Sequence, residues 1–151
     1  MRKYKTLVCI CLLFTLATML CGCDNKKTDL SIDNHKWNFS HIQSNNNGEI
    51  IACSDENKYI HENAKILDIW CSIKDGVILI SNNETQETWK FNYTLNEEDA
   101  TSYIYDISYF EGDEKKTGNA VVSTTLETNE NNEYTLILTI DGYSIYFSEE
   151  I

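Results

Sequence analysis

The chain has 151 residues, with 12 Lys and Arg against 24 Asp and Glu, for a formal net charge of −12. That length suits one domain of ordinary size with a single core. So acidic a surface excludes nucleic acid and anionic lipid as principal partners, because phosphate contacts require Lys and Arg. In chain order, the first feature is a positive stretch, Arg2, Lys3 and Lys5, followed by an almost unbroken apolar run from Thr6 to Leu20. No acidic residue precedes Asp24. A charged start followed by a short apolar segment is the layout of a secretory signal. A membrane-crossing helix needs about 20 apolar residues, and this run is shorter and ends on small residues, so it targets the chain and does not stay as a span.

Leu20, Cys21, Gly22 and Cys23 then follow in order. This tetrad resembles the lipobox of bacterial lipoproteins, a likeness that covers only the first 23 residues. It implies that residues 1–22 are a lipoprotein signal peptide, that cleavage follows Gly22, and that Cys23 carries a diacylglyceryl thioether with palmitate-like chains. Cys21 stands where Ser, Ala or Thr is more usual. Each buried CH₂ contributes about 0.8 kcal/mol, so two acyl chains hold firmly where one would exchange. The implied location is the extracytoplasmic face of a cell membrane, with the membrane itself as a partner through the lipid anchor. Ile, Asn, Lys and Tyr are abundant, Pro is absent and Arg2 is the sole arginine. AT-rich codons produce that usage, which points to a low-GC Gram-positive bacterium.

Residues 23–34 are polar and read as a tether, leaving residues 35–151 as a single all-β domain. The period of two is clearest where Trp89, Phe91, Tyr93 and Leu95 alternate with Lys90, Asn92 and Thr94, as a pleated strand with one buried face requires. Nine strands are expected over residues 36–42, 48–54, 65–73, 77–82, 85–95, 103–110, 120–126, 134–140 and 143–148. Lys74-Asp75-Gly76 and Asp141-Gly142 are tight hairpin turns, and residues 82–84, 111–116 and 129–132 are polar loops of hairpin length. Only residues 55–64 have room for a helical turn. Links this short leave no space for parallel crossovers, so the fold class is an antiparallel meander, forming either a small barrel or a two-sheet sandwich. With Trp37 near the first strand and hairpins running up and down, the domain resembles small lipocalin-like barrels of bacterial lipoproteins. Lys36 precedes Trp37 and His35 stands where that family has its glycine, so ligand binding does not carry over from the likeness.

Neither a nucleophile elbow, a His-Glu-x-x-His, a Cys-x-x-Cys nor a phosphate-cradling glycine loop is present, so the reading is non-enzymatic and without cofactor. After processing, Cys53 and Cys71 remain, either as a disulfide permitted outside the cytoplasm or as two buried thiols. Their apolar strand neighbours would raise a thiol's pKa and leave it inert. The spacing of His35, His41 and His61 fits no metal pattern, and the acidic turns at 97–99 and 111–114 lack the ligand alternation of a calcium loop. Tyr103, Tyr105 and Tyr109 share one side of a strand; with Trp89 they are the candidate contacts for a partner or ligand, since Tyr and Trp anchor interfaces. Two functions follow. The first is a surface lipoprotein that binds a macromolecule, for example a cationic wall-associated protein steered by acidic loops. The second is a carrier or sensor of a small apolar ligand, with a barrel cavity lined by Trp89, Phe91 and Tyr93.

Overall fold

Ten strands form one sheet that closes on itself. A computed structural model describes residues 30–125 and 133–150, and Cys23 lies outside them. The strands are β1 (Trp37–Ser44), β2 (Ile50–Cys53), β3 (Lys65–Ile66), β4 (Ile69–Lys74), β5 (Val77–Asn82), β6 (Thr88–Glu98), β7 (Ser102–Glu111), β8 (Glu114–Thr125), β9 (Glu133–Ile140) and β10 (Tyr143–Glu149). From β4 to β10 each strand pairs antiparallel with the next, and β1 closes the circuit by pairing with β10 along its length and with β4 at Asn38. The result is a closed eight-stranded barrel, with β2 and β3 as additional strands beside β1. Closure decides between barrel and sandwich, and it leaves the two-residue β3 as the end of the sheet. Among the described residues no helix is long and apolar enough to cross a membrane.

Three boundaries differ from expectation for local reasons. The stretch 65–73 splits at Leu67-Asp68: β3 pairs parallel with β2, whereas β4 turns into the barrel wall beside β5. The supposed loop 111–116 is mostly strand, because Gly112, at φ 61°, turns the chain within two residues and lets Glu111 face Glu114. Residues 30–34, expected in the tether, belong to the domain, since Leu30 and Ile32 are fully buried. Two apolar residues in a polar stretch carry no period, so nothing in the sequence marked them as core.

Those two residues plug one end of the barrel. Residues Ile32–Asn34 form a 3₁₀ turn beneath the strands. The Ile32 amide donates to the Tyr105 hydroxyl at 3.1 Å, and its carbonyl accepts the Trp37 indole N–H at 3.1 Å. Tyr93 donates its hydroxyl to Asp33 on the same turn. Above the plug lies an apolar interior built from alternate residues: Trp37 and Phe39 on β1, Ile78 and Ile80 on β5, Ile107 on β7, Ala120 and Val122 on β8, Leu136 and Leu138 on β9, and Phe147 on β10.

Cys53 and Cys71 are free thiols on opposite faces of the sheet, so the candidate bridge is not formed. Cys71 packs against the interior and faces Ile80, and burial pushes its thiol up to about 12. Cys53 instead faces His41, on the outer side of the wall. A β-bulge between Phe39 and His41 produces that arrangement by shifting parity, so that Ile42 joins the interior and His41 turns outward. Outside, His41 stacks on Tyr146 with ring centroids 4.3 Å apart and lies 5.4 Å from His61, which arrives on the 54–64 connection. Burial first, and the neighbouring His61 second, hold the His41 pKa below 6.5. Because the folded state disfavours protonation, the contribution of this group is intact above pH 6.5 and is lost as pH falls below it. His41→Phe, which keeps a ring on Tyr146 but cannot titrate, should flatten the stability profile below pH 6.5, measured by urea unfolding at each pH.

Candidate ligand site at the open end of the barrel

The two ends of the barrel are chemically different. At the plugged end lie the β4–β5 and β6–β7 turns, the start of β1 and the 3₁₀ turn. At the other end lie the turns β5–β6, β7–β8 and β9–β10, the last bonded to the β1–β2 connection through the Asn45 amide and the Gly142 carbonyl at 2.8 Å. Here the barrel opens into a cleft of about 810 Å³. Phe39, Ile80 and Phe91 form its buried floor, and Ile42, Ile140 and Ile145 its wall. That volume falls in the range of small-molecule pockets, which are mostly apolar with a few placed polar groups.

The rim is aromatic and acidic. Trp89 and Tyr143 have the inward parity of Phe91 and Ile145, yet they stand 39% and 45% exposed because the strands run past the packed interior at this end. Tyr109 packs edge-on against Phe91 with centroids 5.3 Å apart, and donates its hydroxyl to Asp141 on the β9–β10 turn. That bond, more than burial, pushes the Tyr109 hydroxyl up to about 12, so it stays a donor at neutral pH. Glu111 follows two positions after Tyr109 on the same face, and Lys116, directly opposite Tyr109, reaches Glu114 at 3.1 Å and Glu111 at 3.9 Å.

The turns that carry these groups are set by local chemistry. The Asn82 side chain accepts the amides of Glu84 at 2.9 Å and Thr85 at 3.2 Å, closing the β5–β6 turn just before Trp89. Asp141, at φ 48°, and Gly142, at φ 80°, take the left-handed pair of conformations that a two-residue hairpin requires.

Of the candidate contact residues, the structure brings Trp89 and Tyr109 together at this mouth and places Tyr103 and Tyr105 elsewhere. Tyr105 is buried at the plugged end, held to Ile32, and Tyr103 is buried with its hydroxyl 3.1 Å from Glu98. Neither can form an exposed contact surface, because the shared parity of Tyr103, Tyr105 and Tyr109 means shared inward orientation, with only the last reaching an opening. Tyr93, expected in the cavity lining, bonds the plug instead. Sequence reasoning missed Glu111, Asp141 and Tyr143 as rim residues; the hairpin turns were visible, but which end of the barrel each turn occupies depends on closure. His35 lies 2.7 Å from Glu149 and packs on Trp37 and Tyr134, a structural contact beside the plug. Among the described residues no group of three His, Cys, Asp or Glu side chains is placed to hold a metal ion. The chain matches no family model, no curated protein and no solved structure.

Proposed function

We propose that this protein is a lipid-anchored, extracytoplasmic, non-enzymatic binding protein whose barrel takes a small, largely apolar molecule through its open end. One observation carries the reading: the barrel is plugged at one end and opens at the other into an apolar cleft of about 810 Å³ with an aromatic rim. A chain this short could have filled its whole interior with side chains, as small eight-stranded barrels can. With Cys23 as the anchored terminus, the chain enters the fold at Leu30, on the plugged end, only a few residues later. The opening then points away from the membrane, toward molecules arriving from the wall or the medium.

Thermal-shift screening of the mature protein against lipids, peptides and glycans tests this. A ligand at a hundredfold excess over its Kd should add about 2.7 kcal/mol to stability, a rise of several degrees in Tm. The double variant Trp89→Ala, Tyr143→Ala should lose most of that shift while keeping its own fold, since both side chains are substantially exposed. No stabilisation by any small molecule, together with stabilisation by a protein from cell-wall extract, would instead favour the macromolecular partner. That second reading retains one supporting feature, the exposed Trp89, Phe110 and Tyr143 among acidic turns, but the burial of Tyr103 and Tyr105 takes away much of the tyrosine surface on which it was based.

A further inference from the structure

We infer that the molecule taken by this mouth is a cationic amphiphile, an apolar body bearing an ammonium head group; the inference rests on the cleft being a ligand site. Three features of the mouth converge on that class. The floor and wall, Phe39, Ile80, Phe91 and Ile140 among them, can bury only hydrocarbon, because they offer no polar side-chain atom. At the rim, three carboxylates, Glu111, Glu114 and Asp141, surround one ammonium, Lys116, which leaves an excess of negative charge. Lys90, the other cation beside the cleft, belongs by strand alternation to the outer face, opposite Leu79.

Aromatic faces add a second attraction of the same sign. Trp89 and Tyr143 stand at the rim with inward parity, and an ammonium over an indole or phenol ring is drawn to the negative face of the ring. An anionic head group of the same size would meet those faces and the carboxylates unfavourably. Lys116 does not reverse this, because Glu114 at 3.1 Å and Glu111 at 3.9 Å already hold it. The Tyr109 hydroxyl is likewise committed to Asp141, so its single donor is not offered to an anion. The apolar depth and the charged rim thus select the two ends of one amphiphile.

The experiment is isothermal titration of the mature protein with three probes of equal tail, dodecyltrimethylammonium, dodecanol and dodecanoate, below their aggregation concentrations and at low and high salt. The expected order is ammonium, then alcohol, then carboxylate, with about a tenfold or larger separation between the charged probes that shrinks as salt is added. In Glu111→Gln, Asp141→Asn, a variant whose asparagine tolerates the turn, the separation should shrink to what the aromatic faces supply while dodecanol binding is unchanged. Equal binding of all three probes, tighter binding of dodecanoate, or an ammonium preference that is undiminished in the double variant would each overturn the inference and leave the cleft reading standing. If dodecanol and the ammonium probe both fail to bind, the cleft reading falls with it. Tetramethylammonium, which has no tail, should bind at least tenfold more weakly than the dodecyl compound; equal binding would mean that the carboxylates act without the cleft, and would also overturn the proposal.

Discussion

Gly118→Ala is expected to cost the fold more than about 3 kcal/mol, and Gly118→Val more still. Gly118 lies on β8, facing Ile107 on one side, with the Thr139 backbone on the other. A Cβ there would stand 2.1 Å from the Thr139 carbonyl oxygen and 3.3 Å from the Ile140 Cα. The obstruction is backbone of a paired strand, so no rotamer change can relieve it. Overpacking in a well-filled interior costs about 1–3 kcal/mol when side chains can yield. Here β9 itself must move, and the cost should exceed that range. A loss of about 3 kcal/mol would lower Tm by roughly 10 °C for a domain of this size, and would remove from about a fifth to more than half of a typical stability of about 5–15 kcal/mol. Circular dichroism melting of wild type and Gly118→Ala is the measurement. An unchanged Tm would mean that β8 and β9 do not approach as closely as described.

Ile32→Asp is expected to be nearly as damaging, although the residue precedes the first strand. Its side chain is fully buried among Trp37, Tyr105 and the rest of the core, and its main chain is bonded to both of those residues. Truncating a buried isoleucine costs about 2–5 kcal/mol, and placing an unpaired carboxylate there adds the penalty of a buried charge. Ile32→Ala should fall in the lower part of that range. Phe110→Ala, at a side chain 64% exposed, should change stability by less than about 0.5 kcal/mol. Urea unfolding of the three variants separates the two environments. If Ile32→Asp were as stable as Phe110→Ala, the 30–34 segment would be a tether and not a plug.

Much of the wall was legible before folding because its signal is local. Phe91 and Tyr93, or Leu136 and Leu138, alternate with polar residues, and a pleated strand with one wet face demands that alternation. The same signal overran its range at Leu95, which is 50% exposed although it pairs with the buried Tyr105, because β5 ends at Val77, opposite Asn92, and gives Leu95 no partner on that side. Alternation states which face a residue takes; how far along the barrel axis the core reaches is a property of all the strands together. The candidate site divided along the same line. Trp89 and Tyr109 were found from residue type and parity, whereas Glu111, Asp141 and Tyr143 were not, since a turn has no neighbours in sequence that reveal which other turns share its end.

By itself, the sequence determined an all-β chain of antiparallel hairpins, the position of most of its tight turns and the acidity of its surface. It also holds the tetrad Leu20 to Cys23, from which the anchor is proposed. Tertiary structure alone decided that the meander closes through β1 and β10, that Leu30 and Ile32 plug one end, that a single bulge sends His41 and Cys53 outward and so separates the two thiols, and that the opposite end stays open. The physical reason is that a period of two specifies two faces for each strand by local geometry, whereas closure, plugging and opening arise from contacts between residues as far apart as Ile32 and Tyr105 or Trp37 and Glu149.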